Sequence, residues 1–215
     1  MIERILPEAV VSAEVFGDDP HARLLPAEEQ YVARAVDKRR REFTVARSCA
    51  RRALAELGHP GFAVHSGEKR EPLWPSGVVG SITHCQGYCA AGVAPAEEVC
   101  SLGIDAEPDD VLPDGVLEQV TAGRERELLA GLPTGVNWDR LLFSAKESVY
   151  KAWFPLTGRW LGFGDAFVRI DPAGEFHAEL VGAPAPSSAG ELTGFSGRFR
   201  FDSGLVVTAV TVFPD

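Results

Sequence analysis

Asp105 and Glu107 end the run VCSLGIDAE (99–107), which reads as an apolar strand closing on two acids. Side chains alternate faces along a strand, so two residues two apart point the same way, within reach of one cation. Like charges held that close repel, and oxygen donors with no Cys or His beside them suit magnesium better than zinc. By itself such a pair is more often the solvated end of a surface strand. A third acid, Glu147, lies in LLFSAKESVYKAW, next to Lys146 and four residues before Lys151. Residues four apart share a helix face, and an ordinary surface Glu–Lys pair adds roughly 0.3–0.5 kcal/mol without any function. This helix is otherwise strongly apolar, however, and the chain has four lysines in all, at 38, 69, 146 and 151. His84, in GSITHC beside Ser81 and Thr83, reads either as a satisfied strand histidine or as a donor to a phosphate oxygen.

A basic segment supplies the complementary charge. Lys38, Arg39, Arg40, Arg41, Arg47, Arg51 and Arg52 place seven of 21 positive charges in fifteen residues of a chain whose net charge is −10. The overall acidity argues against general nucleic-acid binding. One concentrated basic patch within it points to a local anion site, or else to a solvated helix face. Arg40, Arg47 and Arg51 fall on a different stripe from Phe43, Ala50, Leu54 and Leu57, so they are expected to converge on a ligand while the apolar set packs. The cysteines at 49, 85, 89 and 100 need no disulfide framework in a chain of this size. Cys85 and Cys89 read as lying on one face of one strand, and buried reduced thiols are favoured over a zinc site with His84 and Cys100.

The elements that must carry these residues follow from pattern. With 215 residues, 45% hydrophobic, the chain can bury one large core or two small ones. Early charges at Glu3, Arg4 and Glu8 interrupt a signal-peptide pattern, and no run of eighteen apolar residues spans a membrane. A strand is expected within Ala9 to Phe16. A helix is expected from Pro26 to Leu57, broken near Asp37 and stopped by Gly58 and Pro60. Strand pieces and loop follow over 61–77, then strands from Val78 with a turn at Gln86–Gly87. Helices are expected at 116–130 and 138–153, loop and strand over 158–171, a flexible turn region at 183–190, and a terminal hairpin turning at Asp202–Gly204. The faint echo between GSITHCQGYCAAGVA and GLVVTAVTV hints at duplication of an α+β half.

GEKREPLWPSG, GSITHC, GIDAE and FSAKESVYKAW, in that order and spacing, resemble the 4'-phosphopantetheinyl transferases of the Sfp type, in particular the branch of siderophore synthetases and enterobactin component D with its KES core. The resemblance covers residues 38–153. It implies an α+β fold of two similar α/β subdomains in pseudo-twofold arrangement, 1–103 and 104–215, with the cofactor in the cleft between them. It implies an enzyme moving 4'-phosphopantetheine from coenzyme A to a serine of an acyl or peptidyl carrier protein, releasing 3',5'-ADP. Asp105, Glu107 and Glu147 match its magnesium ligands, with manganese as a substitute. Glu147, Lys151 and His84 match catalytic groups, Glu147 as base. Lys38, Arg40, Arg41, Arg47, Lys69, Arg70, Thr83, His84 and Lys151 match the coenzyme A contacts, Arg47 foremost among the basic patch. Lys146, Arg124 and Arg126 are expected to face the carrier. A cytoplasmic monomer is expected, with neither nucleic acid nor membrane as partner. A metal-dependent phosphohydrolase and a non-catalytic nucleotide-binding regulator are the competing readings.

Overall fold

The computed structural model describes residues 1–182, 184–187 and 189–214. After a 3-10 turn at Ile2–Ile5, strand β1 (Val11–Phe16) leads through a short helix α1 (Pro26–Glu29) into helix α2 (Asp37–Glu56). The break expected near Asp37 is real. Val36 is extended (φ −65°, ψ 155°) and α2 begins immediately after it. Leu57 ends the helix, and Gly58 follows with φ +94°, a conformation glycine adopts without strain.

Two short strands, β2 (His65–Ser66) and β3 (Pro72–Leu73), pair with each other. Next comes the hairpin of β4 (Val78–Cys85) and β5 (Tyr88–Pro95), turning through Gln86 and Gly87. Cys85 and Cys89 thus stand on opposite arms of a hairpin, not on one strand. All four cysteines are free. Burial pushes the thiols up, to about 11 for Cys49 and about 12 for Cys85 and Cys89, which keeps them protonated. The sheet order is β1-β5-β4, and α2 lays Ala46, Cys49, Ala50, Ala53 and Leu54 against it.

The second sheet starts with β6 (Ser101–Pro108). Short helices α3 (Val116–Val120) and α4 (Glu125–Ala130) follow, then the long helix α5 (Trp138–Thr157). One helix was expected over 116–130. It is interrupted because Thr121 is extended and Gly123 has φ +53°. Helix α5 runs past residue 153 to Thr157; Pro155 does not stop it, and Gly158 does, with φ +64° and its N–H on the Phe154 carbonyl. Strands β7 (Ala166–Asp171), β8 (Glu175–Leu180), β9 (Ala185–Ser187), β10 (Gly190–Leu192), β11 (Gly194–Asp202) and β12 (Leu205–Val212) complete the chain. Strand β8, which carries no strong sequence signal, lies between β11 and β7. The stretch expected to be a flexible turn holds the β9–β10 pair; within it Ala183 and Ser188 lie outside the described residues. The β11–β12 hairpin turns on Ser203 (φ +54°) and Gly204 (φ +72°), the backbone a tight two-residue turn requires.

The five strands run in the order β6-β12-β11-β8-β7, each neighbouring pair antiparallel. Helix α5 covers one face with Leu142, Ala145, Val149, Ala152, Trp153 and Leu156. A separate core joins the N-terminal turn, Tyr88 of β5 and the other face of β6 and β12.

Among the described residues strand β6 is an edge strand, paired only with β12. The amides on its free side need acceptors in a buried place. Strand β4 supplies them as hydroxyls: Ile104 N donates to Ser81 Oγ (3.1 Å) and Ala106 N to Thr83 Oγ1 (3.0 Å). The two sheets therefore join through side chains of the GSITHC strand. Gly103 makes the other junction possible. A Cβ at Gly103 would meet the Ser148 carbonyl oxygen of α5 at 1.9 Å and the Ala152 nitrogen at 2.7 Å. Only glycine lets α5 lie this close to β6. Gly103→Ala is expected to lower the stability of the fold by about 1–3 kcal/mol, the usual penalty for overpacking, or more because the obstacle is backbone. A urea midpoint equal to that of the wild type would refute the close approach.

Candidate active site

Helix α5 presents four polar residues at Arg140, Ser144, Glu147 and Lys151. Spacings of four, three and four keep them on one stripe. The stripe faces the end of β6. Lys151 Nζ donates to Asp105 Oδ1 (2.7 Å) and to the Ile104 carbonyl (3.0 Å). Ser144 Oγ donates to Asp105 Oδ2 (2.8 Å), and Arg140 Nη1 donates to Glu107 Oε2 (3.1 Å). From the other side Thr83 Oγ1 donates to Asp105 Oδ1 (3.2 Å). Asp105, buried at 5% exposure, is thus gripped by β4 and α5 together. Burial without these donors would be prohibitive for a carboxylate.

The neighbouring acids are electrically strained. Burial, and then the Asp105 charge, push the Glu107 carboxyl up to about 7, against the pull of Arg140. Burial and Asp105 likewise raise Glu147, with Lys151 opposing. Among the described residues no three acids, histidines or cysteines are already drawn together tightly enough to hold a metal ion. Lys151 and Arg140 stand against the carboxylates instead. The donor set is nevertheless all hard oxygen, and each of Glu107 and Glu147 feels Asp105 as a destabilising like charge. A divalent cation would relieve both, so the residues fit a magnesium-like ion on their chemistry.

This stripe borders a cleft of about 1280 Å³ lined from both halves of the chain, by residues of 30–84, by Ser101 and by residues of 147–158. That exceeds the roughly 300–1,000 Å³ of drug-sized sites and suits a long ligand. Six cations line it, Arg34, Arg39, Arg47, Lys69, Arg70 and Lys151, against two acids, Glu71 and Glu147. In a chain of net charge −10, this local excess selects for an anion. Arg47 is buried. Its Nε donates to the Val64 carbonyl (2.9 Å) and Nη2 to Ser66 Oγ (2.8 Å), while the guanidinium lies 4.3 Å from the centre of the Phe43 ring. Burial lowers it to about 10, so it remains charged at neutral pH. Lys69 and Arg70 sit on a tight turn closed by Gly67 N on the Glu71 carbonyl (2.8 Å), and Arg70 holds a left-handed φ of +69°. Tyr31 also lines the cleft, hydrogen-bonded through its hydroxyl to His65 Nδ1 (3.1 Å) and 6.3 Å from Phe43 between ring centres.

Several residues expected at the site lie elsewhere. Arg40 is outside the cleft lining and pairs with Glu29 (2.6 Å); Lys38 and Arg41 are exposed on α2 and also outside it. Arg51 does not converge with Arg47: the fully buried Glu28 takes it, along with amide donors Leu25 N (2.9 Å) and Val64 N (3.0 Å). Thr83 is 2% exposed and outside the cleft lining, with its hydroxyl committed to Asp105 and Ala106 N. It positions the acid strand. Lys146, expected to face a partner, is buried at 4% exposure. Its Nζ reaches Glu125 Oε2 (2.7 Å) and the Phe163 carbonyl (2.7 Å), because the walls of α4 and the 163–168 segment close over it. Arg124 pairs with Glu127 and Arg126 with Glu118, all exposed.

Two family models match in tandem. The 4'-phosphopantetheinyl transferase N-terminal domain covers residues 27–94, and the 4'-phosphopantetheinyl transferase superfamily model covers 101–201. The chain is 52% identical to the 4'-phosphopantetheinyl transferase of Streptomyces mobaraensis over 220 residues, covering 99% of this chain and 89% of the relative. It is 48% identical to that of Nocardia iowensis, covering 98% of this chain and 99% of the relative. Enterobactin synthase component D of Salmonella typhimurium is 34% identical, with 82% of this chain and 75% of the relative covered. The chain belongs to the 4'-phosphopantetheinyl transferase superfamily. It is accordingly a transferase, related to the enterobactin branch.

Against this phosphopantetheinyl transferase frame, the residues missed in the sequence are instructive. Arg39 lay in the basic run yet was not singled out. Its Nη1 donates to His84 Nε2 (2.9 Å), so the His84 ring is neutral with its proton on Nδ1. Arg140 and Ser144 share the helical stripe of Glu147 and Lys151, and their spacing was the signal available. Burial, followed by the Arg39 charge, holds His84 below its ordinary 6.5. The unfolded chain then takes up a proton near pH 6.5 that the folded chain refuses. The resulting stability is full above pH 6.5 and declines as pH falls through the folded value. Urea midpoints measured at pH 7.5 and 5.5 are expected to fall more for the wild type than for His84→Gln; equal declines would refute the burial of a neutral ring.

Proposed function

We propose that the chain transfers 4'-phosphopantetheine from coenzyme A to a serine hydroxyl of an acyl or peptidyl carrier protein and releases 3',5'-ADP. One observation carries the reading: a cation-lined cleft shared by two halves reaches Lys151, whose ammonium holds Asp105 just behind the lining, where β4, β6 and α5 meet. The cleft offers distinct groups to the parts of such a donor. Arg39, Arg47, Lys69 and Arg70 would take the phosphates, Tyr31 offers a flat face for a purine, and Tyr150 and Phe154 line the end nearest Glu147.

In the reaction the serine oxygen forms a bond to the β-phosphorus, the bond from that phosphorus to the oxygen of the ADP moiety breaks, and the serine proton leaves to a base. Glu147 is the base: burial and the Asp105 charge increase its proton affinity, as a base near neutral pH requires. Lys151, held by Asp105, puts a fixed positive charge where the leaving oxygens gain negative charge. His84, released from Arg39 when phosphate claims that guanidinium, donates to a phosphate oxygen. Asp105, Glu107 and Glu147 would hold Mg2+, or Mn2+ in its place, which when bound supplies Lewis-acid stabilisation of the pyrophosphate.

The division into two subdomains in pseudo-twofold arrangement is supported by a shared plan: each half packs one 20-residue helix, α2 or α5, on an antiparallel sheet, and because β6 (Ser101–Pro108) belongs wholly to the second sheet, we draw the boundary before Ser101 and not at 103/104. A site completed within one chain is consistent with a monomer. Among the described residues no helix is long and apolar enough to cross a membrane, and we assign the enzyme to the cytoplasm, acting on carriers of secondary metabolism.

Asp105→Asn is expected to reduce carrier modification at least about 100-fold without unfolding the protein, since the amide keeps the Ser144 bond but loses the Lys151 ion pair. Intact-mass analysis of an apo carrier incubated with coenzyme A and Mg2+ is the assay, and unchanged transfer would discard the assignment of Asp105. Lys151→Ala should depress kcat more than coenzyme A affinity. A loss confined to affinity would replace the transition-state role by ground-state binding. Release of 3',5'-ADP without a carrier at the same rate would mean hydrolysis, not transfer.

A further inference from the structure

The loop that follows the strand acids is fastened to the first turn of α5. Asp109 Oδ1 accepts from Asn137 N (3.0 Å) and Asn137 Nδ2 (2.9 Å), and Asp139 Oδ2 accepts from Leu112 N (3.0 Å). Arg140 lies between these fastenings. Its Nε donates to the Asp110 carbonyl (2.9 Å), Nη2 to the Val111 carbonyl (2.8 Å) and Nη1 to Glu107 Oε2 (3.1 Å). One rigid guanidinium therefore spans the carboxylate of Glu107 and two successive backbone carbonyls of the loop. Its side chain is 14% exposed and that of Glu107 22%, so water competes weakly with these bonds.

We propose that Arg140 is a positioning residue. It sets the place of the Glu107 carboxylate and of the 108–112 loop, so that Glu107 is presented beside Asp105 and Glu147 as a ligand for a divalent cation. The inference rests on the assignment of those three acids as the cation's holders. Two effects of Arg140 oppose each other. Its charge repels an arriving cation, and its fork removes the freedom of a ligand and its loop. The geometry decides for the second: two of the three bonds go to neutral backbone carbonyls, which a residue serving only as counter-charge has no reason to contact. Groups that orient a metal ligand without touching the metal typically change affinity or activity about 10–100-fold when removed. A lysine retains the charge but cannot hold three acceptors in one plane.

The test compares wild type, Arg140→Gln, Arg140→Lys and Glu107→Gln. Mn2+ binding to each protein without coenzyme A is followed by the electron paramagnetic resonance of the free ion, beside kcat, the Mg2+ concentration for half-maximal transfer, and coenzyme A affinity measured calorimetrically without metal. Arg140→Gln is expected to weaken Mn2+ binding about 10-fold or more, to raise the half-saturating Mg2+ and to lower kcat, with coenzyme A affinity unchanged. Arg140→Lys should fall nearer to Gln than to wild type. Mn2+ binding that is unchanged or tighter in Arg140→Gln overturns the proposal, as does full activity in Arg140→Lys, since charge alone would then suffice. A loss of thermal stability with unchanged Mg2+ dependence would show a purely structural residue. If Arg140→Gln does not fold, Arg140→Lys decides. A wild-type chain that transfers phosphopantetheine and binds Mn2+ while Arg140→Gln matches it overturns this inference alone; a wild-type chain that does neither overturns the functional reading with it.

Discussion

Asp105 is the point at which the two halves of the molecule become one site. Its carboxylate takes Thr83 from β4 and Ser144 and Lys151 from α5 while it sits on the edge strand β6. A buried carboxylate needs several donors to remain charged, and each donor here belongs to an element that must reach it. The need for donors thus dictates the architecture. Thr83 also accepts the Ala106 amide, and Ser81 that of Ile104, so the strand edge and the acid are satisfied by one pair of hydroxyls. Gly103, two residues before Asp105, lets α5 come close enough for Lys151 to reach both Asp105 and the Ile104 carbonyl.

Charge placement follows the same logic on a larger scale. The chain is acidic overall, yet the cleft carries six cations and two acids. The positive ends that must meet a ligand are left with few internal acids, while other cations are consumed by structure. Glu28 captures Arg51 and Glu125 captures Lys146, each acid being almost fully buried and each also accepting backbone amides. These pairs hold α1 and α4 against the body. A buried ion pair contributes little net stability compared with apolar packing, but breaking one would leave a stranded charge. They therefore enforce one arrangement of the segments around the site.

The cleft residues divide accordingly into those with unused donors and those already committed. Arg34, Lys69 and Arg70 have no ion-pair partner among the described residues, and Arg39 meets only the neutral His84 ring. Arg47 is held rigid by Val64 and Ser66 with one nitrogen left over. A phosphate-bearing ligand would find Arg47 fixed in direction before it arrives, which limits the ordering it must impose on that group.

The order of motifs, the acid pair on a strand end, the Glu–Lys pair on an amphipathic helix and the family they belong to were all legible in the chain itself. So were the hairpin turns at Gln86–Gly87 and Ser203–Gly204, because glycine and period-two alternation are local signals. Local pattern also placed Glu147 and Lys151 on one helix face, and the same rule extended backward would have found Ser144 and Arg140. What no local rule could decide was the destination of each charge. Arg40, Arg51, Lys146 and Thr83 have the types a ligand site uses, yet acids and amides on other elements claim them. Arg39, unremarkable inside a run of four basic residues, reaches the cleft. A helix turns about 100° per residue, so adjacent arginines face different surroundings, and only the packing of the other elements determines which of those surroundings is a cleft, an acid or water.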